Sequence, residues 1–227
     1  MAGDSRFIQT APVSEAEALC ATARWCHAKG WVPATSGNFS IRGGANILIT
    51  PSGLDKGMLA PEHLLEVDMD GRVAQGDRKP SAETALHLVI YRGRTQIQSI
   101  LHVHTVWNTL ISGHYAPRGR VPIEGYEILK GLSGVLTHEH TEQVPVIGNT
   151  QDYALLADEL RGALDEYPHA HGVLLSRHGL YTWGGSVAEA RRHLECLEFL
   201  FEVEMRRIGG GAALEPELPA LGKPHPS

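Results

Sequence analysis

The apolar residues of this chain change period repeatedly, and that alternation limits the fold more than any other feature. Ser14 and Glu17 are spaced as a capping box, and Ala18, Leu19, Thr22, Trp25 and Cys26 then recur at helical spacing up to Gly30, so residues 14–29 predict an amphipathic helix. Residues 38–42 and 46–50 instead alternate around Gly43-Gly44, which predicts a β-hairpin closed by the turn Pro51-Ser52-Gly53. Residues 65–69 and 72–74 flank Asp70-Gly71, a pair that tolerates positive φ, and predict a second hairpin. Further on, the pattern predicts helices over 81–92, from 105, over 151–166 and over 186–208. Strands are expected over 97–104, 144–147, 172–176 and 180–183, and a short helical segment over 124–132. Hairpins force antiparallel pairing, and the helices are numerous enough to cover two faces. The fold class is therefore α/β, a three-layer α/β/α unit with a largely antiparallel central sheet. No internal repeat or linker divides it, so residues 1–208 read as one domain and the Gly- and Pro-rich residues 209–227 as a flexible tail.

Charge narrows the partners. Twenty Lys+Arg against twenty-six Asp+Glu give a net charge of −6, with no long run of one sign, which argues against a nucleic-acid grip or a polybasic membrane anchor. No apolar stretch approaches the roughly 20 residues needed to cross a bilayer. The stretch from Met1 to Pro12 is polar and lacks a signal-peptide core, so a cytoplasmic protein is expected. Cys20, Cys26 and Cys196 are odd in number and form no CxxC pair, which fits neither a disulfide framework nor a thiolate metal site.

Histidine carries more information. His102-Val103-His104 ends an expected strand, where residues at i and i+2 share a face, so the two imidazoles make a two-point clamp for a metal such as zinc. Catalytic zinc commonly takes three protein ligands, and His178, in the Arg177-His178-Gly179 break between two strands, is the best third candidate. The pairs His138/His140 and His169/His171 rank lower, because neither has a regular strand to fix its geometry. His27, His63, His87, His114, His193 and His225 read as surface, capping or core-edge residues.

Two small-residue loops, Thr35-Ser36-Gly37-Asn38 and Thr50-Pro51-Ser52-Gly53, allow backbone amides to approach an anion. Lys56 follows the second loop, and Ser81 stands at the expected start of a helix, where the dipole favours negative charge. Each feature alone also fits a plain turn or cap; their combination points to a phosphate. Glu83 lies close to any ligand held at that helix start. Glu127 lies in Gly125-Tyr126-Glu127-Ile128-Leu129-Lys130-Gly131, and either carboxylate could shuttle a proton.

These residues, in this order, are similar to the zinc-dependent class II aldolase and adducin-like family, over about residues 14–208. The likeness rests on Ser36-Gly37-Asn38-Phe39-Ser40, Ile49-Thr50-Pro51-Ser52-Gly53, Lys79-Pro80-Ser81-Ala82-Glu83, His102-Val103-His104 and Arg177-His178-Gly179. The block around Glu127, then Thr137-His138-Glu139-His140, Val144-Pro145-Val146 and Asn149-Thr150-Gln151-Asp152, resembles its dehydratases of methionine salvage more narrowly. That resemblance implies one Zn²⁺ per subunit on His102, His104 and His178, with Glu127 as catalytic acid/base. It implies phosphate binding by Gly37, Asn38, Ser52, Gly53 and Ser81. Ala82 stands where other members carry a second serine, and Lys56 or a backbone amide could compensate. Glu83 occupies the position of the aldolases' acidic residue, and its role stays open between auxiliary base, transient ligand and helix-start residue. The implied substrate is a methylthio-pentulose 1-phosphate, and the implied assembly a homo-oligomer, by analogy a tetramer with sites near subunit boundaries. An aldolase or epimerase acting on another sugar phosphate is the nearest alternative. A non-catalytic adducin-like interaction module is a more distant one, disfavoured by the three histidines and both carboxylates.

Overall fold

The computed structural model describes residues 14–74 and 78–210. Among the described residues, eight strands form one sheet in the order β3-β2-β1-β4-β8-β7-β6-β5. They are β1 (Asn38–Gly43), β2 (Asn46–Ile49), β3 (Leu65–Val67), β4 (Ser99–Val103), β5 (Arg120–Glu124), β6 (Thr141–Ile147), β7 (Gly172–Leu175) and β8 (Gly179–Gly184). Among these strands, only β6 and β7 pair in parallel. The helices are α1 (Glu15–Ala28), α2 (Thr84–Gly93), α3 (Val106–Tyr115), α4 (Tyr153–Glu166) and α5 (Val187–Gly209).

Alternation along the strands sorts the apolar side chains into two cores. Phe39, Leu101 and Val103 meet Leu19 of α1, Ile111 of α3 and Leu197 and Phe201 of α5 on one face. Ile47, Ile100 and Tyr181 meet Leu86 and Ile90 of α2 and Leu156 and Leu160 of α4 on the other. Burying such a side chain fully contributes about 1.5–3 kcal/mol, so two filled faces fix the three-layer arrangement. The expected fold class is thus the observed one.

Several boundaries differ from the sequence reading. The second hairpin keeps one full arm, β3, while its return is a single Val67–Val73 bridge around Gly71 at φ +82°. Helix α2 starts at Thr84, three residues later than expected, because residues 81–84 first form a turn in which Thr84 N–H donates to the Ser81 carbonyl. Glu124 ends a strand rather than starting a helix, and the helical piece is a 3₁₀ turn, Glu127–Gly131. Strand β5 was not anticipated. Pro122 interrupts its short Val121/Ile123 alternation, which an edge strand tolerates because it pairs on one side only. At the C-terminal end, Gly209 closes α5 and Gly210 caps it; the rest of the expected tail, with His225, lies outside the described residues.

Pairing directions decide which loops meet. Val103 pairs with Leu180 and Leu175 with Gly179, so the end of β4 and the β7–β8 turn open at the same end of the sheet. Asn38, at the start of β1, pairs with His102, which brings the Thr35–Gly37 loop there as well.

Candidate metal centre

His102, His104, His178 and Glu83 converge at this end, each offering a ligand atom, and these atoms all lie within 4.8 Å of one another. His102 is fully buried on β4; its Nδ1 donates to the Leu180 carbonyl at 3.0 Å, which turns the Nε2 lone pair into the cluster. His104 follows the strand, and its Nε2 faces that of His102 at 2.8 Å. His178 comes from the tight turn where Arg177 adopts φ +56°. Glu83 spans the group, with Oε1 at 3.1 Å from His178 Nε2 and Oε2 at 3.4 Å from His102 Nε2.

Electrostatics suit a cation. Burial, which Glu83 only partly counters, pushes the His102 imidazole well below its ordinary range; burial also takes His104 down to about 4, so both rings are neutral at pH 7. Burial of Glu83 opposes its charge, yet the hydrogen bonds it accepts from His178 and the Asn38 amide favour the ionised form, and the carboxyl lies below the usual carboxylate range. Neutral imidazoles beside an ionised carboxylate form a donor set that fits a divalent metal. Among the described residues, four buried side-chain polar atoms lack a hydrogen-bond partner, and His178 Nδ1 and the Tyr181 hydroxyl, two of them, belong to this centre. The Tyr181 ring stacks on His102, with centroids 3.9 Å apart at 13°.

Close packing keeps the centre tight. A Cβ on Gly179 would lie 2.5 Å from the Val103 carbonyl, 2.8 Å from the His102 ring and 2.9 Å from the His104 ring. At Gly37, with φ +72°, a Cβ would meet Val32 and the His102 carbonyl below 3 Å. Ala34 and Thr35 just before it also hold positive φ, 51° and 62°, which concentrates backbone strain in the loop facing the centre.

The anion candidates gather beside the metal cluster with unequal roles. The loops holding Ser52 and Ser81 are zipped together by a Pro51–Pro80 bridge and by Ser52 N–H donating to the Lys79 carbonyl. Ser52 and Gly53 line a hollow with Arg78 and Lys79, two cations to which the sequence reading gave no role. Ser81 Oγ accepts from the Asn38 amide at 3.2 Å and from Glu83 N–H. Asn38 is buried, with its Nδ2 donating to Glu83 Oε2 at 2.7 Å. Lys56 is buried and reaches the first loop rather than the hollow beside Ser52; its ammonium donates to the Thr35 carbonyl at 2.6 Å, and burial lowers its pKa to about 8.

Glu127 is not brought to the cluster. Its side chain is 72% exposed and pairs with Lys130 at 2.5 Å, with His138 at 3.8 Å. Strand β5 carries the chain away from the histidine end, and the 3₁₀ turn bearing Glu127 packs on α5, the face opposite α2.

Two histidines expected at the surface or core edge are buried. His87 of α2 is fully enclosed and bonds Ser40 and Asn38; His193 of α5 bonds the Trp183 carbonyl and Ser133. Spacing shows neither contact, because each crosses between elements distant in the chain. His140 and His171 bracket the buried Glu142 instead of forming a metal clamp with their i±2 partners.

Comparisons with known proteins identify the family. Residues 17–205 match the Class II Aldolase and Adducin N-terminal domain family. The chain is 42% identical over 198 residues to methylthioribulose-1-phosphate dehydratase of Sorangium cellulosum (strain So ce56), covering 86% of this chain and 93% of the relative. It is 48% identical over 184 residues to the protein of the same name from Enterobacter sp. (strain 638), covering 81% and 90%. Its fold is similar to that of L-fuculose-1-phosphate aldolase from Thermus thermophilus, with a TM-score of 0.69, 28% identity and coverage of 86% and 96%. The chain belongs to the class II aldolase and adducin N-terminal domain family.

Proposed function

We propose that this protein dehydrates 5-methylthioribulose 1-phosphate to 2,3-diketo-5-methylthiopentyl 1-phosphate and water, a lyase reaction of methionine salvage in the cytoplasm. The observation that carries the reading is the convergence of three imidazoles and Glu83 beside two anion-suited loops. Similarity to the dehydratases selects this reaction among those open to the fold.

His102, His104 and His178 would hold the cation, which we assign as Zn²⁺, one per chain. Such an ion supplies Lewis-acid polarisation of the substrate's C2 carbonyl, which acidifies the proton on C3. The Gly37 and Gly53 amides and the Ser52 and Ser81 hydroxyls, with Asn38 holding Ser81 in place and Lys56 bracing the first loop through Thr35, would fix the phosphate so that remote binding energy orients C3 and C4. A carboxylate removes the C3 proton, the electron pair forms the C3–C4 double bond, and the C4 hydroxyl leaves. Hydroxide leaves poorly, so the same carboxyl group returns its proton to that oxygen, and the resulting C3 enol becomes the second ketone. Glu127 is assigned this shuttle. Glu83, wedged between His178 and His102, positions the cluster and serves as an auxiliary base.

Since Glu127 sits away from its own cluster, the assignment requires a second copy to deliver it. Val106 and Leu110, beside His104, are 68% and 47% exposed, and Ile128 and Leu136, near Glu127, are 41% and 88% exposed. These are different surfaces of one chain, so joining them is a head-to-tail contact that closes into a ring, a homotetramer in this reading.

The test is incubation of purified, metal-analysed protein with methylthioribulose 1-phosphate and product analysis. Diketone formation is expected; carbon–carbon cleavage or epimerisation would move the chain to an aldolase or epimerase role. No turnover by metal-loaded protein would favour an interaction module.

A further inference from the structure

Behind Glu83 lies a buried polar chain that the reaction above leaves unused. It is built from two periodicities: Asn38 and Ser40 lie at i and i+2 on β1, and His87 and Tyr91 at i and i+4 on α2, so the four side chains meet where the helix crosses the strand. Tyr91 Oη lies 2.9 Å from Ser40 Oγ, Ser40 Oγ 2.7 Å from His87 Nδ1, and His87 Nε2 2.5 Å from Asn38 Oδ1. Asn38 Nδ2 completes the chain to Glu83.

Donor logic gives this chain a direction. A carboxylate only accepts, so Asn38 must present its NH₂ to Glu83, and its carbonyl must then accept from His87. The proton of His87 therefore sits on Nε2, its Nδ1 accepts from the Ser40 hydroxyl, and Ser40 accepts from Tyr91. His87 carries no charge, because complete burial lowers its pKa to about 3. Along the chain each hydrogen bond then runs towards Glu83, while Tyr91 Oη also lies 3.5 Å from the Gln98 carbonyl and Asn38 Nδ2 also donates to Ser81. Reversing the Asn38 amide would set its carbonyl against the carboxylate, a mismatch in a dry site that neither tautomer of His87 relieves.

We propose that His87 is a positioning residue for Glu83: by donating to the Asn38 carbonyl it anchors the amide whose NH₂ holds the carboxylate against the histidine cluster. This rests on the reading of that cluster as a metal centre. Both partners of the ring lie on β1, so a merely structural role would be read in stability through either nitrogen, whereas the positioning role is read at the cluster and runs through Nε2 alone.

Two substitutions separate them. His87→Gln can keep an N–H near the Nε2 position, whereas His87→Asn can keep an acceptor near Nδ1 and loses the donor to Asn38. With Co²⁺ loaded as a spectroscopic probe, His87→Asn is expected to alter the visible spectrum and lower kcat about tenfold or more with KM nearly unchanged, and His87→Gln to recover most of both. Equal spectra and equal kcat in the two variants, or recovery by His87→Asn instead, would overturn the proposal. Ring ¹⁵N NMR of the unsubstituted protein keeps the question decidable should either variant fail to fold: a neutral Nε2–H tautomer at His87 supports the chain, and an Nδ1–H tautomer refutes it. If wild-type protein binds cobalt but dehydrates nothing, the proposed reaction fails, while the spectra and the tautomer still decide the role of His87.

Discussion

Four histidines, three buried and one half-buried, make the metal-free protein sensitive to acid. His87, His102, His104 and His193 are held neutral by burial, their pKa values pushed below the ordinary 6.5. The unfolded chain takes up protons at these positions from about pH 6.5 downwards while the folded chain does not, so their stability is present above that pH and lost as pH falls towards the folded values. Each contributes up to about 1.4 kcal/mol per pH unit across that window. His171 acts the other way: burial disfavours its charge, but Glu142 outweighs burial and raises its pKa, so its share is present at low pH and lost as pH rises through the folded value. Melting temperatures of metal-free protein should fall steeply from pH 6.5 to 4; a flat profile would mean these rings are not buried neutral. His102→Ala, His104→Ala and His178→Ala should each reduce bound metal, because loss of one donor weakens the site. Full metal occupancy in any of them would remove that residue from the ligand set. The His102/His104 pair was legible because strand alternation dictates which side chains share a face. Glu83's place against it was not, since the hydrogen bonds that hold it run from β1 to α2, across more than forty residues.

Among the elements, the β7–β8 turn does most to shape the centre, because Gly179 lets β8 lie against both histidine rings. Gly179→Ala should therefore lower metal affinity at least tenfold, a larger effect than its change in melting temperature suggests. Metal titration beside thermal denaturation measures both, and unchanged affinity would show that the turn relaxes freely. The N-terminus of α3 gives a second case. Glu198 of α5 accepts from Thr105 at 2.6 Å and from Asn108 at 2.9 Å, tying down the residue that follows His104. Burial raises its pKa to about 7 despite those bonds, so its contribution to stability is complete below the ordinary 4.5 and declines as pH rises through 7. Glu198→Gln should be at least as stable as wild type at pH 8, and less stable only at pH 5; the reverse order in denaturant titrations would contradict a largely protonated Glu198. Element types could be read from period and caps, as with Ser14 before α1 and Ser186 before α5. The misread pieces are those where Pro122 broke the alternation, or where a turn at Ser81 delayed a helix.

For the whole molecule, sheet order and register put residues from β1, α2, β4 and the β7–β8 turn at one end, while Glu127 follows a strand leading away from it. Motif order along the chain carried the family resemblance, but it could not say which motifs share a surface. Only the pairing directions separate Glu127 from the histidines. If neighbouring copies complete each other's sites, Glu127→Gln and His104→Ala, each inactive alone, should regain activity when unfolded together and reassembled. Random pairing restores about a quarter of the sites. Absence of recovery in mixed oligomers would mean that Glu127 serves no neighbouring cluster.

The central claim, that the three imidazoles and Glu83 form a metal centre for dehydration, is tested most directly by titrating metal-free protein with Zn²⁺ while following diketone formation. Activity should rise linearly and level off at one equivalent per chain. Dehydration at full rate in metal-free protein, or an endpoint unchanged in His104→Ala, would contradict it.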